Sequence, residues 1–300
     1  MSETLRDDWV LTELNDLEMY ARSLTDHEQK QRTLARIKGL YLSYQGDDQL
    51  ISSTEMAKEI RSRPSVPKIY SGLKELDEIL GGFTPSQVIV IAAQTKSGKT
   101  SFCMELTIQM ADQHPVWLPF EEPADELIQK FIDRGEEPPV FYTPQKLVPK
   151  NIEWVEQRII EAQAKFDSKI MFIDHLSFLT GMSMERQDLL IGETMRGLKT
   201  MANKWGMIIV LISHLRKTRM TDLPNLEDLR DSSYVAQEAD TVIMLWRKTE
   251  RSERGKMEIG DMTTISVQAN RRTGRTGNFR RKYEKGRFTE VTNYYDEEDM

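Results

Sequence analysis

The segment Ala93-Gln94-Thr95-Lys96-Ser97-Gly98-Lys99-Thr100 carries the residue types needed to grip a polyphosphate. It follows an apolar run and precedes an amphipathic stretch beginning near Ser101, so backbone N–H groups and a helix N-terminus can face phosphate oxygens. Lys99 adds a point charge for the outer phosphates, and the Thr100 hydroxyl is a magnesium ligand of the usual kind. This is the P-loop pattern with alanine in the first glycine position. Gln94, Thr95, Lys96, Ser97, Gly98, Lys99, Thr100 and Ser101 form the expected nucleotide-binding set. A chance Gly-Lys-Thr turn is the bland alternative, and the flanking strand and helix argue against it.

Phosphoryl transfer needs a second oxygen ligand near the metal. Lys169-Ile170-Met171-Phe172-Ile173-Asp174 ends an apolar run on a carboxylate, which makes Asp174 the second metal ligand beside Thr100. The competing reading of Asp174 is a helix cap, and His175 beside it reads as packing. Something must also orient or deprotonate water. Val116 to Phe120 runs into Glu121-Glu122, acids that would stand at the carboxyl edge of a sheet. The alternative is an acid pair complementing a helix dipole before Pro123. Glu121 is favoured over Glu122.

These groups must be positioned by a framework, and the pattern from Tyr70 onward supplies one. Short β-branched runs alternate with longer amphipathic stretches, which points to a parallel sheet flanked by helices. The predicted strands are Gln87 to Ala93, Val116 to Phe120, Lys169 to Asp174, Met207 to Ser213, Thr241 to Trp246 and Thr264 to Ala269. A hairpin over Asn278 to Val291 follows. The first fifty residues read as a helical hairpin. Val10, Leu14, Leu17, Ala21 and Leu24 share one face, Leu34, Ile37, Tyr41 and Tyr44 repeat it, and Thr25 with Glu28 has capping-box spacing. A short helix from about Thr54 to Arg61, introduced by Ser52 and Glu55, sits on a linker and stops near Pro64 and Pro67. The expected division is therefore a hairpin over 1–50, a linker over 51–69, an ATPase core over 70–292 and an acidic tail over 293–300.

The chain has 300 residues, a net charge of −7, one cysteine and four histidines. Cys103 excludes an internal disulfide, and no ligand set for structural zinc exists. No run of about eighteen apolar residues occurs and the N-terminus carries acids, so the expectation is a soluble, cytoplasmic protein. The acidic total argues against a generally basic surface but allows a local basic path.

Taken in order, the loop AAQTKSGKT, the FEE after the next strand, MFIDHLSFL, LISHLRK, and DLRDSS followed by ADTVIMLWR resemble the motifs of superfamily-four replicative helicases, of the DnaB-like and phage types. The resemblance covers roughly Ser71 to Val291. It implies an α/β fold: a RecA-like P-loop core with a mainly parallel central sheet flanked by helices, carrying a small N-terminal helical region. It also implies a homo-hexameric ring that hydrolyses ATP, or another NTP or dNTP, with Mg2+ while moving on single-stranded DNA. Residue by residue, Lys99 and Thr100 take the phosphate and magnesium roles, Glu121 the catalytic acid, Asp174 the metal acid and His214 the γ-phosphate sensor. The arginine finger falls in Ala269-Asn270-Arg271-Arg272-Thr273-Gly274, where phage-type spacing selects Arg271 and DnaB-type spacing selects Arg272. Many relatives place a lysine two residues before the finger; here Ala269 or Asn270 stands there, which puts a paired-cation mechanism in doubt. Tyr283 is a candidate to stack on the base, against the bland reading of a hairpin core aromatic.

In such a fold the loops over 180–187 and 216–230 face the ring centre. The second holds Arg216, Lys217, Arg219 and Arg230, followed by Asp231 and Ser232, a set suited to the phosphates of a single strand. From Arg271 to Arg287 there are eight basic residues against one acid; some serve the subunit interface and the finger, and a second nucleic-acid surface is the alternative use, which sequence alone does not separate. Primase, loader, polymerase and single-strand-binding protein would be separate partners, and no membrane is involved. The helix near Met56 resembles the family's linker helix, which packs on a neighbouring subunit. A RecA-fold switch or recombination mediator of the KaiC or RadA kind is the alternative. The helix before the core and DLRDSS favour the helicase, and the absence of a zinc ribbon weighs against the RadA version.

Overall fold

The computed structural model describes residues 3–43, 51–63, 65–147, 151–175, 179, 187–215, 223–229, 232–251 and 257–291. The chain divides into two compact units, Met1–Ser65 and Val66–Met300. In the first, α1 (Glu3–Ser23) and α2 (His27–Ser43) form the expected helical hairpin, with Leu17 and Ala21 of α1 buried and Leu34 of α2 exposed. The entry to α2 differs from the Thr25–Glu28 expectation. Asp26 accepts from the Gln29 backbone N–H at 2.7 Å, so the cap lies one residue later. Asp and Thr both cap well, and the sequence offers two adjacent candidates that only the chain path separates. The helix α3 (Ser53–Ser62) begins as expected, with Ser52 and Glu55 satisfying each other's backbone N–H groups.

The second unit is built on an eight-stranded sheet. In chain order its strands are β1 (Val88–Ala93), β2 (Val116–Pro119), β3 (Ile170–Asp174), β4 (Ile208–His214), β5 (Thr241–Arg251), β6 (Met257–Asn270), β7 (Gly277–Glu284) and β8 (Arg287–Thr289). They lie in the order β2-β3-β4-β1-β5-β6-β7-β8. The pairs from β2 through β5 are parallel and those from β5 through β8 antiparallel. β5 and β6 run further than the sequence pattern suggested. Their outer halves, polar over 247–251 and mixed over 257–263, are held by antiparallel pairing and by Arg247 donating to the Gly260 carbonyl at 2.6 and 2.9 Å, with no need for a sustained apolar repeat.

Every residue of β1 is buried, because helices cover both faces of the parallel part. Ile89, Ile91 and Ala93 point into one core with Phe102, Trp117 and Phe172, while Val88, Val90 and Ala92 point into the other with Ile191, Leu198 and Val242. The covering helices are α4 (Lys74–Leu80), α5 (Lys99–Gln109), α6 (Ala124–Asp133), α7 (Ile152–Phe166), α8 (Gln187–Trp205) and α9 (Ser232–Glu238). Trp117 lies fully buried against Phe172 with ring centroids 4.8 Å apart, and its indole N–H donates to Thr107 Oγ1 of α5 at 3.0 Å. That contact fixes the helix leading out of the phosphate loop against the sheet.

Candidate active site

The phosphate loop forms where the fully buried β1 stops and α5 begins. Gly98 has φ 88°, and a Cβ there would stand 3.1 Å from the rings of both Tyr283 and Phe288, so glycine is required by conformation and by space. Lys96 also has positive φ, at 66°. These two residues curl the chain so that α5 starts at Lys99, two residues before the sequence estimate. Ser97 is buried, Gln94 and Gly98 are half-buried, and Thr95 and Lys96 face outward. Thr100 stands in the first turn of α5, and Ser101 Oγ lies 2.9 Å from the Tyr283 hydroxyl. Tyr283 also lies under the guanidinium of Arg247, 4.5 Å from its ring centre.

Parallel register brings the other chemical groups to the same edge. Ala93 of β1 pairs with His214 of β4, and Asp174 of β3 pairs with Ile212 of β4. The Glu121 backbone N–H donates to the Asp174 carbonyl at 2.9 Å, which holds the segment after β2 beside the end of β3. Lys99 Nζ donates to the Ala93 and Gln94 carbonyls at 3.3 and 3.5 Å and meets His214 Nδ1 at 3.1 Å. An ammonium has no lone pair, so Nδ1 accepts and the ring proton resides on Nε2. That nitrogen lies 3.3 Å from Glu121 Oε2 and donates to it. Lysine, histidine and glutamate from three segments thus form one chain of polar contacts.

The electrostatics follow from burial. Lys99 is 6% exposed, and burial lowers its ammonium below the ordinary value against the pull of Glu121 and Asp174. Asp174 is 2% exposed; burial first, then the neighbouring Glu121, raise its carboxyl to about 7. Burial pushes Glu121 up as well, but His214 and Lys99, with His175, outweigh it and leave this carboxyl below its usual value. His175 is therefore part of the site and not packing alone, with its ring 4.7 Å from that of His214. Its place directly after Asp174 was the only signal in the sequence. Glu122 turns away and pairs with Lys130 of α6.

The donor set fits a divalent cation. Asp174 Oδ1 is buried without a hydrogen-bond partner, so an oxygen ligand is held ready beside the phosphate loop. Among the described residues no three His, Cys, Asp or Glu side chains are disposed to hold a metal ion together, so a cation here would draw on few protein ligands, as magnesium does.

The family model of the DnaB-like helicase C-terminal domain matches residues 68–138 and 136–293. The chain belongs to this family. Among curated DnaB-type relatives, the replicative DNA helicase DnaB of Haemophilus influenzae is 27% identical over 288 residues, 81% of this chain and 59% of that protein. That of Leifsonia xyli is 24% identical over 219 residues, 62% of this chain and 48% of that protein. The chain thus spans roughly half of these relatives' length. A solved DnaB-like replicative helicase, described with its interactions with primase, superposes with TM-score 0.69 at 18% identity, over 96% of this chain and 78% of that one. A KaiC-like protein from Pyrococcus horikoshii gives TM-score 0.56 at 16% identity, over 75% and 98%. At these identities the structural likenesses speak for the fold, an α/β RecA-like ATPase core as the sequence led one to expect.

The two finger candidates differ sharply in surroundings. β6 is antiparallel to β5, so its end at Asn270 lies opposite Thr241, at the start of β5. Both arginines therefore stand at the far edge of the sheet from the DnaB-type phosphate loop. Arg271 is exposed and its side chain has no partner among the described residues, whereas Arg272 Nη2 donates to the Leu80 and Gly82 carbonyls at 2.5 and 2.9 Å. Arg216, Lys217, Arg219, Arg230 and Asp231 lie outside the described residues; Ser232 opens α9. The acidic tail over 293–300 and most of the loop over 180–187 also lie outside them. No described helix is long and apolar enough to cross a membrane.

Proposed function

We propose that this chain is the motor of a replicative DNA helicase, which hydrolyses ATP or a related nucleoside triphosphate to move along single-stranded DNA as a six-membered ring. The observation carrying this reading is the Lys99–His214–Glu121 chain beside the orphaned Asp174 oxygen, with Arg271 displayed on the opposite edge of the sheet. The turn at 94–98 and the start of α5 cradle the phosphates, with Lys99 at the outermost of them. Thr100 and Asp174 would hold Mg2+, which when bound neutralises phosphate charge. Glu121, kept ionised by its neighbours, accepts the proton of the attacking water. His214 links Lys99 to Glu121 and so senses whether a terminal phosphate has drawn the ammonium away. Arg271 cannot reach its own loop across the length of the sheet, so it serves the nucleotide of a neighbouring copy, which makes turnover depend on assembly.

The basic set Arg216, Lys217, Arg219 and Arg230, with Asp231 and Ser232, is assigned to the DNA path on charge pattern alone. The helix α3, with Met56 and Ile60 exposed and no residue buried, is the segment suited to pack on the next copy. Primase, loader, polymerase or single-strand-binding protein would be separate partners. The decisive experiment measures single-strand-stimulated hydrolysis and unwinding of a forked duplex by the full chain. Vigorous hydrolysis without strand separation on any fork would replace the helicase reading with a KaiC-like switch.

A further inference from the structure

The turn that carries Arg271 is held from both sides. Before it, the Arg271 backbone N–H donates to the Asp240 carbonyl at 2.8 Å. The Asp240 carboxylate in turn accepts from the Val88 N–H at 2.8 Å and from Lys199 Nζ at 2.5 Å, which ties this point to β1 and α8. Within the turn, Asn270 Nδ2 donates to Thr273 Oγ1 at 2.6 Å, and the Gly274 N–H donates to the Asn270 carbonyl at 2.8 Å, with Gly274 at φ 68° closing the bend. After it comes Arg272, whose single Nη2 bridges the Leu80 and Gly82 carbonyls at the end of α4.

The end of α4 is a firm post for that bridge. Gly81 closes the helix in the left-handed conformation at φ 70°, and a Cβ there would stand 3.3 Å from Arg272 Nη2, so glycine leaves the guanidinium room. The Leu80 carbonyl is one of the helix-end acceptors without an intrahelical donor, and a cation is the favoured partner at that end. α4 is itself fixed to β7, because the Arg281 guanidinium, 4% exposed, meets Glu75 at 2.5 Å. Arg271 thus projects from a backbone whose two neighbours are both fastened to the core.

We propose that Arg272 is a positioning residue: its bridge to Leu80 and Gly82 sets the direction in which Arg271 leaves the turn toward the neighbouring copy's nucleotide. The proposal rests on the cross-subunit reading of Arg271 above. A charge placed across an interface acts only in the right place, and a misplacement of about 1 Å can cost on the order of a hundredfold in rate. Losing the bridge therefore slows turnover without touching the phosphate loop of the same chain.

The test compares full-length Arg272→Ala, Arg272→Lys and Arg271→Ala, each alone and mixed with Lys99→Ala chains, by kcat of DNA-stimulated hydrolysis and by affinity for a fluorescent nucleotide. Arg272→Ala is expected to lower kcat roughly 10- to 100-fold with nucleotide affinity within about twofold, and Arg272→Lys, with one charged donor group, to recover part of it. Mixing Arg272→Ala with Lys99→Ala should restore turnover, because the intact loop of the first is then served by the intact Arg271 of the second. A folding defect would show no such complementation. Unchanged kcat in Arg272→Ala overturns the proposal, and so does a loss in Arg272→Ala as large as or larger than that in Arg271→Ala, which would make Arg272 the finger itself. Complementation of Arg271→Ala by Lys99→Ala that Arg272→Ala fails to share overturns it as well. If neither arginine variant is complemented, the cross-subunit reading itself falls and this one with it.

Discussion

The two ends of the sheet in the larger unit hold their charged groups in opposite ways, enclosed at one and exposed at the other. At the carboxyl ends of β1, β3 and β4, Lys99 and His214 are hydrogen-bonded to each other beside the buried Asp174, one of whose carboxylate oxygens has no partner. At the other end, beyond Asn270, Arg271 stands exposed with no side-chain partner among the described residues, on a turn that is itself tightly built. β1 alone spans roughly 16–20 Å. One end holds its charges enclosed beside the phosphate loop, and the other displays a cation whose side chain has no partner among the described residues. The contrast is what the proposed cross-subunit reading rests on: if it holds, the exposed arginine of one copy completes the phosphate loop of the next.

The largest expected effect breaks the far end. Arg271→Ala should lower kcat by about 10³ to 10⁵ with nucleotide affinity retained, the scale of a charge supplied across an interface. A loss within tenfold would remove Arg271 from that role and leave Arg272, the DnaB-type candidate, to fill it. Next comes the enclosed end: Glu121→Gln should lower kcat by roughly 10² to 10⁴, read in single-turnover hydrolysis, while tight nucleotide binding persists. A change of similar size in Glu122→Gln would instead implicate the acid that pairs with Lys130.

A third expectation sharpens the contrast through pH. The Asp174 carboxyl is raised from 3.8 to about 7, so the folded chain holds this proton more tightly than the unfolded chain does. Its contribution to stability is full below pH 4 and is lost as the pH rises to 7, amounting to roughly 4 kcal/mol. In urea unfolding without divalent cations, Asp174→Asn should match the wild type near pH 4 and exceed it increasingly up to pH 7. Adding Mg2+ at pH 8 should stabilise the wild type only; parallel stability curves would refute the argument. The smallest effect concerns the turn, where Asn270→Ala should cost roughly 1 kcal/mol in urea unfolding. No measurable change would show the turn to be held by Arg272 and Asp240 alone.

Much of this arrangement was legible in the residues. Ala93 to Thr100 between an apolar run and an amphipathic one announces a phosphate loop, and Asp174 and Glu121 announce themselves by ending apolar strands. The hairpin of α1 and α2 and the capping box of α3 are equally local patterns. Other features had no local signature. Thr25 and Asp26 are both plausible caps, and only the chain path selects Asp26. His175 looked like packing because nothing nearby in sequence says that His214, 39 positions on, would lie against it. The outer halves of β5 and β6 were hidden because they pair through backbone groups and carry no sustained apolar repeat.

The sequence by itself determined the order of strands and helices, the identity of the phosphate loop and the family to which the chain belongs. Each of these is written in periodicities and short motifs that neighbouring residues complete on their own. Only the tertiary structure decided which strand ends meet, and so that Lys99, His214 and Glu121 touch, that Arg272 is fastened to Leu80 and Gly82, and that Arg271 faces away from its own loop. Those outcomes depend on the order and direction of strands across the sheet, which join residues 93 to 192 positions apart and which no local pattern spells out.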